Sequence, residues 1–492
     1  MSRLPWSAPR ALVLACALLC SGAFAAARPP AAGPPEPLGH AGRWIVDASG
    51  RVIVLHGVNM VNKFPPYDLA SIGFDADDVA FLAREGVNAV RVGVIYAAVE
   101  PVPGQYDDAY LDSIAATVGL LADAGILSLL DFHQDAYSTV FSGEGLPDWA
   151  TLTDGLPTTP LPTFPEIYGE LPALQHAYDN FWANRPGPDG VGLQDRYAAA
   201  WAHVAARFRD TPGVVGYDLF NEPFPGSDWR ECATADGCPE LDASLLTPFF
   251  DRVLQAIRTA DERHLVWYEP WVLFDAGAAT HVGPLDDPRL GMSFHDYQPR
   301  DDYALPLANA ERQTHRTGDA LLMTEYGATE SPAVILQILD AADRAMMSRI
   351  YWAYSNRAPF QVVAPAGSVA SAPQQGLVLD PSQPLTGANV FEAKWDAFVR
   401  PYPQAVAGTP RRWSYEPKTR TFELAYATAP AGGGPPLPAD LETEVVVPAR
   451  HYPGCYQVAA DGARVTSPAG APLLRLVTEP GAAEVTVRVT PC

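Results

Sequence analysis

The stretch Val214-Val-Gly-Tyr-Asp-Leu-Phe-Asn-Glu-Pro223 decides the fold. It is an apolar run of strand length that turns polar only at its end, where Asn221 and Glu222 stand before a proline. A second run, Ala320-Leu-Leu-Met-Thr-Glu-Tyr-Gly327, repeats the pattern and carries Glu325 in the same place. Strands apolar on both faces belong in a buried parallel sheet, and polar residues at their carboxy-terminal ends lie on the face where closed barrels hold their active sites. If both runs are staves of one barrel, two carboxyls far apart in sequence open onto one face.

Outward from these two runs, further candidate strands are Val52–Asn59, Ala89–Val94, Leu127–His133, His264–Glu269, Gly291–Tyr297 and Ile350–Tyr354, with the central pair read as Val215–Glu222 and Leu321–Glu325. Amphipathic stretches from Asp75 to Glu85, Tyr110 to Ala124, Asp195 to Arg209, Leu245 to Ala260 and Ala333 to Met347 separate them. Eight strands alternating with helices predict an α/β fold, a (β/α)8 TIM barrel over residues 41–400. The strand exits carry Asn59, Arg91, His133, Asn221, Glu222, His295, Tyr297, Glu325 and Trp352. An open doubly wound sheet would offer a glycine-rich turn after its first strand, and Asn59-Met-Val-Asn-Lys63 is not one.

Beyond residue 400 the pattern changes to short alternating runs between Pro and Gly turns, which predict a C-terminal antiparallel β-sandwich over 401–492. Its Trp413, Tyr415, Phe422 and Tyr426 read as core, with a sugar- or lipid-binding face as the alternative. At the other end, Arg3 and Arg10, the apolar run Ala11 to Leu19 and Ser-Gly-Ala-Phe-Ala25 read as a signal peptide over 1–27, so the protein is expected to be secreted. Residues 28–40 read as a disordered Pro/Ala/Gly linker. Four of the six cysteines lie beyond the leader; Cys232 with Cys238 and Cys455 with Cys492 are the expected disulfides. A formal charge of -24 argues against nucleic acid. The cysteine spacing resembles no zinc motif, and neither a metal nor a cofactor is expected.

Paired carboxyls at barrel-strand exits suggest retaining glycoside hydrolysis, in which one protonated carboxyl assists the leaving group and one ionised carboxylate attacks the anomeric carbon. Glu222 suits the first role and Glu325 the second. Asn221 can bond a sugar 2-hydroxyl. Tyr297 and Arg91 are expected to hold Glu325 ionised, with Arg91 lowering its pKa. Glu269, in Trp267-Tyr-Glu-Pro270, also ends a strand and is assigned to structure or substrate contact. Lys63 and the His133-Gln-Asp135 string are read as sugar-hydroxyl contacts, and Trp352 as a stacking ring.

Together these residues resemble glycoside hydrolase family 5, whose pattern is matched by Arg91, Asn221-Glu222, His295-x-Tyr297, Glu325 and Trp352. Within it, Gly57-Val-Asn59 followed by Asn62-Lys63, Asp131-Phe-His-Gln-Asp135 and the appended sandwich look like the endoglycoceramidases, which cut between an oligosaccharide and ceramide. The resemblance implies Glu222 as acid/base, Glu325 as nucleophile, Lys63, His133, Asp135, Asn221, Tyr297 and Trp352 as substrate-binding, and Arg91 and His295 as supporting residues. It also implies a glycosphingolipid substrate, with transient membrane-surface contact and a monomeric enzyme as expectations. An apolar connection from Ala136 to about Leu193, rich in Phe141, Leu146, Trp149, Phe164, Tyr168, Phe181 and Trp182, could wall an acyl groove or pack a core of its own. A second connection, Asn356 to Asn389, could complete the groove. The alternatives are an endoglycosidase for β-glucan or mannan and a glycolipid-binding protein without turnover.

Overall fold

The computed structural model describes residues 33–297, 303–355 and 375–492. The leader and most of the 356–389 connection lie outside them. Eight parallel strands close a barrel: β1 His56–Met60, β2 Ala89–Val94, β3 Leu127–Phe132, β4 Val214–Asp218, β5 Leu265–Tyr268, β6 Leu290–Asp296, β7 Ala320–Tyr326 and β8 Arg349–Tyr351. Every neighbouring pair is parallel, and β8 returns to β1 through Arg349 with His56. All eight are buried along their whole length, which explains their near-continuous apolar sequences.

The helices begin where local chemistry allows. Ala76–Glu85 starts at Asp75, whose side chain accepts from the Asp77 backbone while Asp78 reciprocates to the Asp75 N–H, and it ends at Gly86 in the left-handed region. Asp108–Asp123, Leu193–Phe208, Thr247–Arg258 and Pro332–Arg344 form the further crossovers that the sequence predicts. The helices Pro172–Trp182 and Ala304–Thr317 were not anticipated; the first lies inside the long apolar connection.

Two expectations are corrected. The run Val52–Asn59 is not one strand: Val52–Ile53 pairs antiparallel with Val406 and Ala405, and the chain then crosses Val54 and Leu55 to enter the barrel at His56. A continuous apolar stretch reads the same whether it serves one sheet or two. The linker assigned up to residue 40 ends sooner, because Leu38 is buried and Gly39–Ala41 forms a strand with Trp44–Val46. These N-terminal strands join Tyr402–Val406, Glu442–Val446, Leu473–Thr478 and Ala463–Val465 in a seven-stranded sheet. A four-stranded sheet, Thr409–Glu416, Thr421–Ala427, Glu484–Pro491 and Tyr456–Asp461, lies in the same module.

Trp413, Tyr415, Phe422 and Tyr426 are all buried in this second core, so they pack and do not present a binding face. A further cluster joins Ile45, Ile53 and Ala405 to strand-start residues Ala89, Leu127, Leu265 and Ala320. The sandwich therefore closes the amino-terminal end of the barrel, opposite the strand exits. Asp343 locks the two together, accepting from Trp413 Nε1 at 2.8 Å and pairing with Arg400 at 2.6 Å and Arg349 at 2.9 Å. The cysteines pair as expected, Cys232 with Cys238 and Cys455 with Cys492.

Candidate active site

The strand exits converge on Arg91, which has no exposed surface. Its Nε donates to Asp218 at 2.8 Å, Nη1 to Glu325 Oε1 at 2.8 Å, and Nη2 to Asn221 Oδ1 at 3.0 Å, with Asp131 also 3.0 Å from Nη2 and Glu269 at 3.6 Å. A buried guanidinium is tolerable only with such partners, and its fixed fork sets the positions of β3, β4 and β7 relative to β2. Asn59 extends the stitching, donating to the carbonyls of Thr324 at 2.8 Å and Tyr351 at 3.3 Å.

Glu222 lies just beyond β4 with φ +47°, a conformation that costs a non-glycine residue energy and persists only where surroundings enforce it. Its backbone N–H donates to Glu269 Oε1 at 2.9 Å, while Gln134 Nε2 donates to the carbonyls of Asn221 at 2.9 Å and Glu222 at 3.0 Å. Gln134 is itself held at Oε1 by Tyr178 Oη and the Tyr137 N–H, both at 2.9 Å. Glu269 thus serves structure, and the long connection, through Tyr178, braces the turn carrying Glu222. Gly145 allows this: a Cβ there would stand 2.2 Å from that of Gln134.

Glu222 Oε1 is 2.8 Å from His295 Nδ1, and Nε2 of the same ring is 3.6 Å from Glu325 Oε1, so one imidazole joins the two carboxyls. Tyr297 Oη donates to Glu325 Oε2 at 2.8 Å. Burial, then the charge of Asp135, pushes the Glu222 carboxyl up to about 7. Burial also pushes Glu325 up, against His295 and Arg91 pulling it down. This corrects the expected lowering: desolvation of the buried carboxylate outweighs the cations around it. Since burial lowers His295 to about 3, its ring is neutral at working pH, and Arg91, with the more distant His133, supplies the positive charge that opposes the rise.

The remaining sequence candidates gather on one side. Lys63 Nζ bonds Asp135 and lies 3.4 Å from Glu144; burial opposes its charge, but the two carboxyls hold the ammonium above its ordinary value. His133 Nδ1 is 2.8 Å from Asp131 and its ring stacks on Trp352 at 5.2 Å. Burial disfavours its charge, yet Asp131 and Asp135 outweigh it and raise the imidazole to about 9. The Lys63 ammonium lies 4.7 Å from the centroid of the same indole, and Trp352 also lines the cavity. His133, Asp135 and Glu144 are spaced as a cation site, but the Lys63 ammonium already occupies that role.

All of Glu222, Glu325, Lys63, His133, Asp135, Asn221, Tyr297 and Trp352 line one cavity of about 860 Å³. The same cavity continues along an apolar wall of Phe164, Tyr168, Phe224, Trp229, Val272 and Leu273. Only Phe164 and Tyr168 come from the connection expected to form this wall; Phe141, Leu146, Phe181 and Trp182 are buried in the barrel's own core. Phe224, Trp229, Val272 and Leu273, in the connections after β4 and β5, were missed because apolar loop residues look alike whether they face ligand or core. Asp275 was also missed.

The Cellulase (glycosyl hydrolase family 5) family matches residues 46–358, and the glycoside hydrolase family 5 C-terminal domain matches residues 400–490. The chain belongs to glycoside hydrolase family 5. A relative, Endoglycoceramidase I of Rhodococcus hoagii (strain 103S), is 30% identical over 473 residues, which is 91% of this chain and 87% of the relative. Among solved structures, the lactosyl-enzyme intermediate of endo-glycoceramidase II from Rhodococcus sp. is 29% identical with a TM-score of 0.72, covering 91% of this chain and 99% of that one. The ganglioside GM3 complex of the same enzyme is 28% identical with a TM-score of 0.71 and the same coverage. A family 5 glycoside hydrolase barrel and an appended family 5 C-terminal module account for the two main cores.

Proposed function

We propose that this family 5 hydrolase cleaves the β-glycosidic bond between oligosaccharide and ceramide in glycosphingolipids, by retaining double displacement. The single observation that carries the substrate class is the continuity of one cavity from the two carboxyls to a wall of aromatic and aliphatic side chains. On one side of the carboxyls Lys63, His133 and Asp135 offer charged groups around the single ring of Trp352, and on the other Phe164, Tyr168, Phe224, Trp229, Val272 and Leu273 form the lipid-like wall. The glycolipid complex and glycosyl-enzyme of the related enzyme support the reading.

In the first step Glu222 gives its proton to the glycosidic oxygen, the bond from that oxygen to the anomeric carbon breaks, and a Glu325 oxygen bonds to the carbon. His295 Nε2 faces carboxyl oxygens of Glu269 at 3.5 Å and Glu325 at 3.6 Å, which favours the Nε2–H tautomer and leaves Nδ1 to accept from protonated Glu222. In the second step Glu222 takes a proton from water, whose oxygen displaces Glu325. Asn221 has its oxygen held by Arg91 and one amide hydrogen by Gln134 O at 3.0 Å, which frees the other hydrogen for the sugar.

Incubation with a ganglioside in detergent should release intact glycan and intact ceramide; turnover of soluble β-glucan instead would overturn the substrate class. Substituting Trp229→Ala with Leu273→Ala should raise KM for ganglioside about tenfold while leaving kcat/KM on a soluble aryl β-lactoside within about twofold. Equal losses on both substrates would show that these side chains serve the glycan.

The pH dependence follows from the two carboxyls. Glu222 acts protonated, so kcat/KM falls as pH rises through about 7; Glu325 acts ionised, so activity also falls when acid protonates it. A pH–rate profile should place the alkaline limb near 7, and a limb above 9 would exclude Glu222 as the acid. We also propose that residues 1–27 are removed on export and that the enzyme is a monomer touching membranes transiently. N-terminal sequencing of the mature protein and sedimentation would test the first two, and binding to sphingolipid vesicles the third.

A further inference from the structure

We propose that Asp275 is a positioning residue for Glu222: its protonated carboxyl donates a hydrogen bond to the Glu222 carboxylate and steadies the negative charge that appears once the leaving group has taken the proton. This rests on the assignment of Glu222 as acid/base.

Asp275 lies on the connection after β5, in the turn Val272–Ala276, and lines the cavity. Ligand-type atoms of Glu222, Asp275 and His295 all fall within 4.8 Å of one another, and the Asp275 and Glu222 carboxyls are in hydrogen-bond contact. Two carboxyls can share such a contact only if one is protonated. Everything facing Asp275 favours its holding the proton. Glu222 comes from the connection after β4, Glu269 from the residue after β5, His295 from β6, Tyr297 from the residue after it and Glu325 from β7; the acids repel a second charge, and the His295 ring is neutral and 3.8 Å away. Burial, then Glu222 and Glu269, accordingly pushes Asp275 well above its ordinary value.

The oxygens of Glu222 then have separate partners. Oε1 meets His295 Nδ1, and the carboxyl also accepts from Asp275. Loss of the Oε1 proton leaves a carboxylate with one charge-assisted donor already in place. That donor matters most in the second half-reaction, where Glu222 must be ionised to take a proton from water.

The test compares Asp275→Ala with Asp275→Asn, which keeps an N–H donor and cannot ionise. On an aryl β-lactoside, whose leaving group needs little acid assistance, Asp275→Ala should lower kcat about tenfold with glycosyl-enzyme accumulating by mass spectrometry. On ganglioside its alkaline limb should move up by about one pH unit, because an unsupported Glu222 carboxylate takes its proton back more readily. Asp275→Asn should recover most of both effects.

If both variants instead move the alkaline limb down, Asp275 acts as a negative charge and the proposal is overturned; if neither moves it, the residue only packs. Should the alanine variant fail to fold, the asparagine variant decides alone, since loss of a charge lowers the limb and retention of a donor holds it. Wild-type protein that cleaves neither substrate would fault the family-level reading, not Asp275.

Discussion

Glu325→Gln should leave a folded protein whose turnover of both ganglioside and aryl β-lactoside falls by on the order of 10⁴-fold. The amide is nearly isosteric: its oxygen can still accept from Arg91 and its NH2 can donate to the Tyr297 hydroxyl, each now 2.8 Å from a carboxylate oxygen, so the supporting network survives. It cannot form the bond to the anomeric carbon. Loss on both substrates is the diagnostic feature, because the nucleophile serves every leaving group. Glu222→Ala separates from it: azide, which attacks without giving up a proton, should restore turnover of the aryl glycoside in that variant and not in Glu325→Gln. Residual activity within tenfold of wild type in Glu325→Gln would remove this residue from the mechanism.

The second large effect is on folding. Arg91→Met should destabilise the protein by about 3–5 kcal/mol, because it strips the one guanidinium from Asp131, Asp218 and Glu325 while leaving those carboxyls enclosed. Thermal denaturation should show a melting temperature lower by roughly 3–7 °C. The pH dependence of the loss has a definite sign. Without Arg91 the folded-state pKa values of Asp218 and Glu325, already raised by burial, rise further above their unfolded values, so the folded form binds more protons and part of the loss is recovered as pH falls. A variant that melts like the wild type, or one that loses more stability in acid, would contradict a load borne by this cation.

The barrel was legible because its evidence is local. Buried parallel strands are apolar throughout and end in the one face that tolerates polar groups, so Ala89–Val94 was read to the residue and Glu222 and Glu325 stood out against their own runs. The sandwich was legible as alternation, as in Thr409–Glu416, where buried and exposed positions interchange. What failed was assignment between partners. Val52–Ile53 and His56–Met60 share one apolar stretch, and only pairing with Ala405 and Val406 sends the first to the sandwich.

The site divides in the same way. Residue types and their positions at strand ends, which chain chemistry alone prescribes, named the two glutamates and the residues from Lys63 to Trp352 that share their cavity. The folded chain alone decided that Glu269 holds a backbone turn, that Asp275 meets Glu222, that Phe224, Trp229, Val272 and Leu273 wall the lipid-like end, and that burial drives Glu325 upward although Arg91 lies against it. Periodicity and strand-end polarity are properties of neighbours along the chain. Desolvation and contact are properties of neighbours in space, set by segments that the sequence does not place side by side.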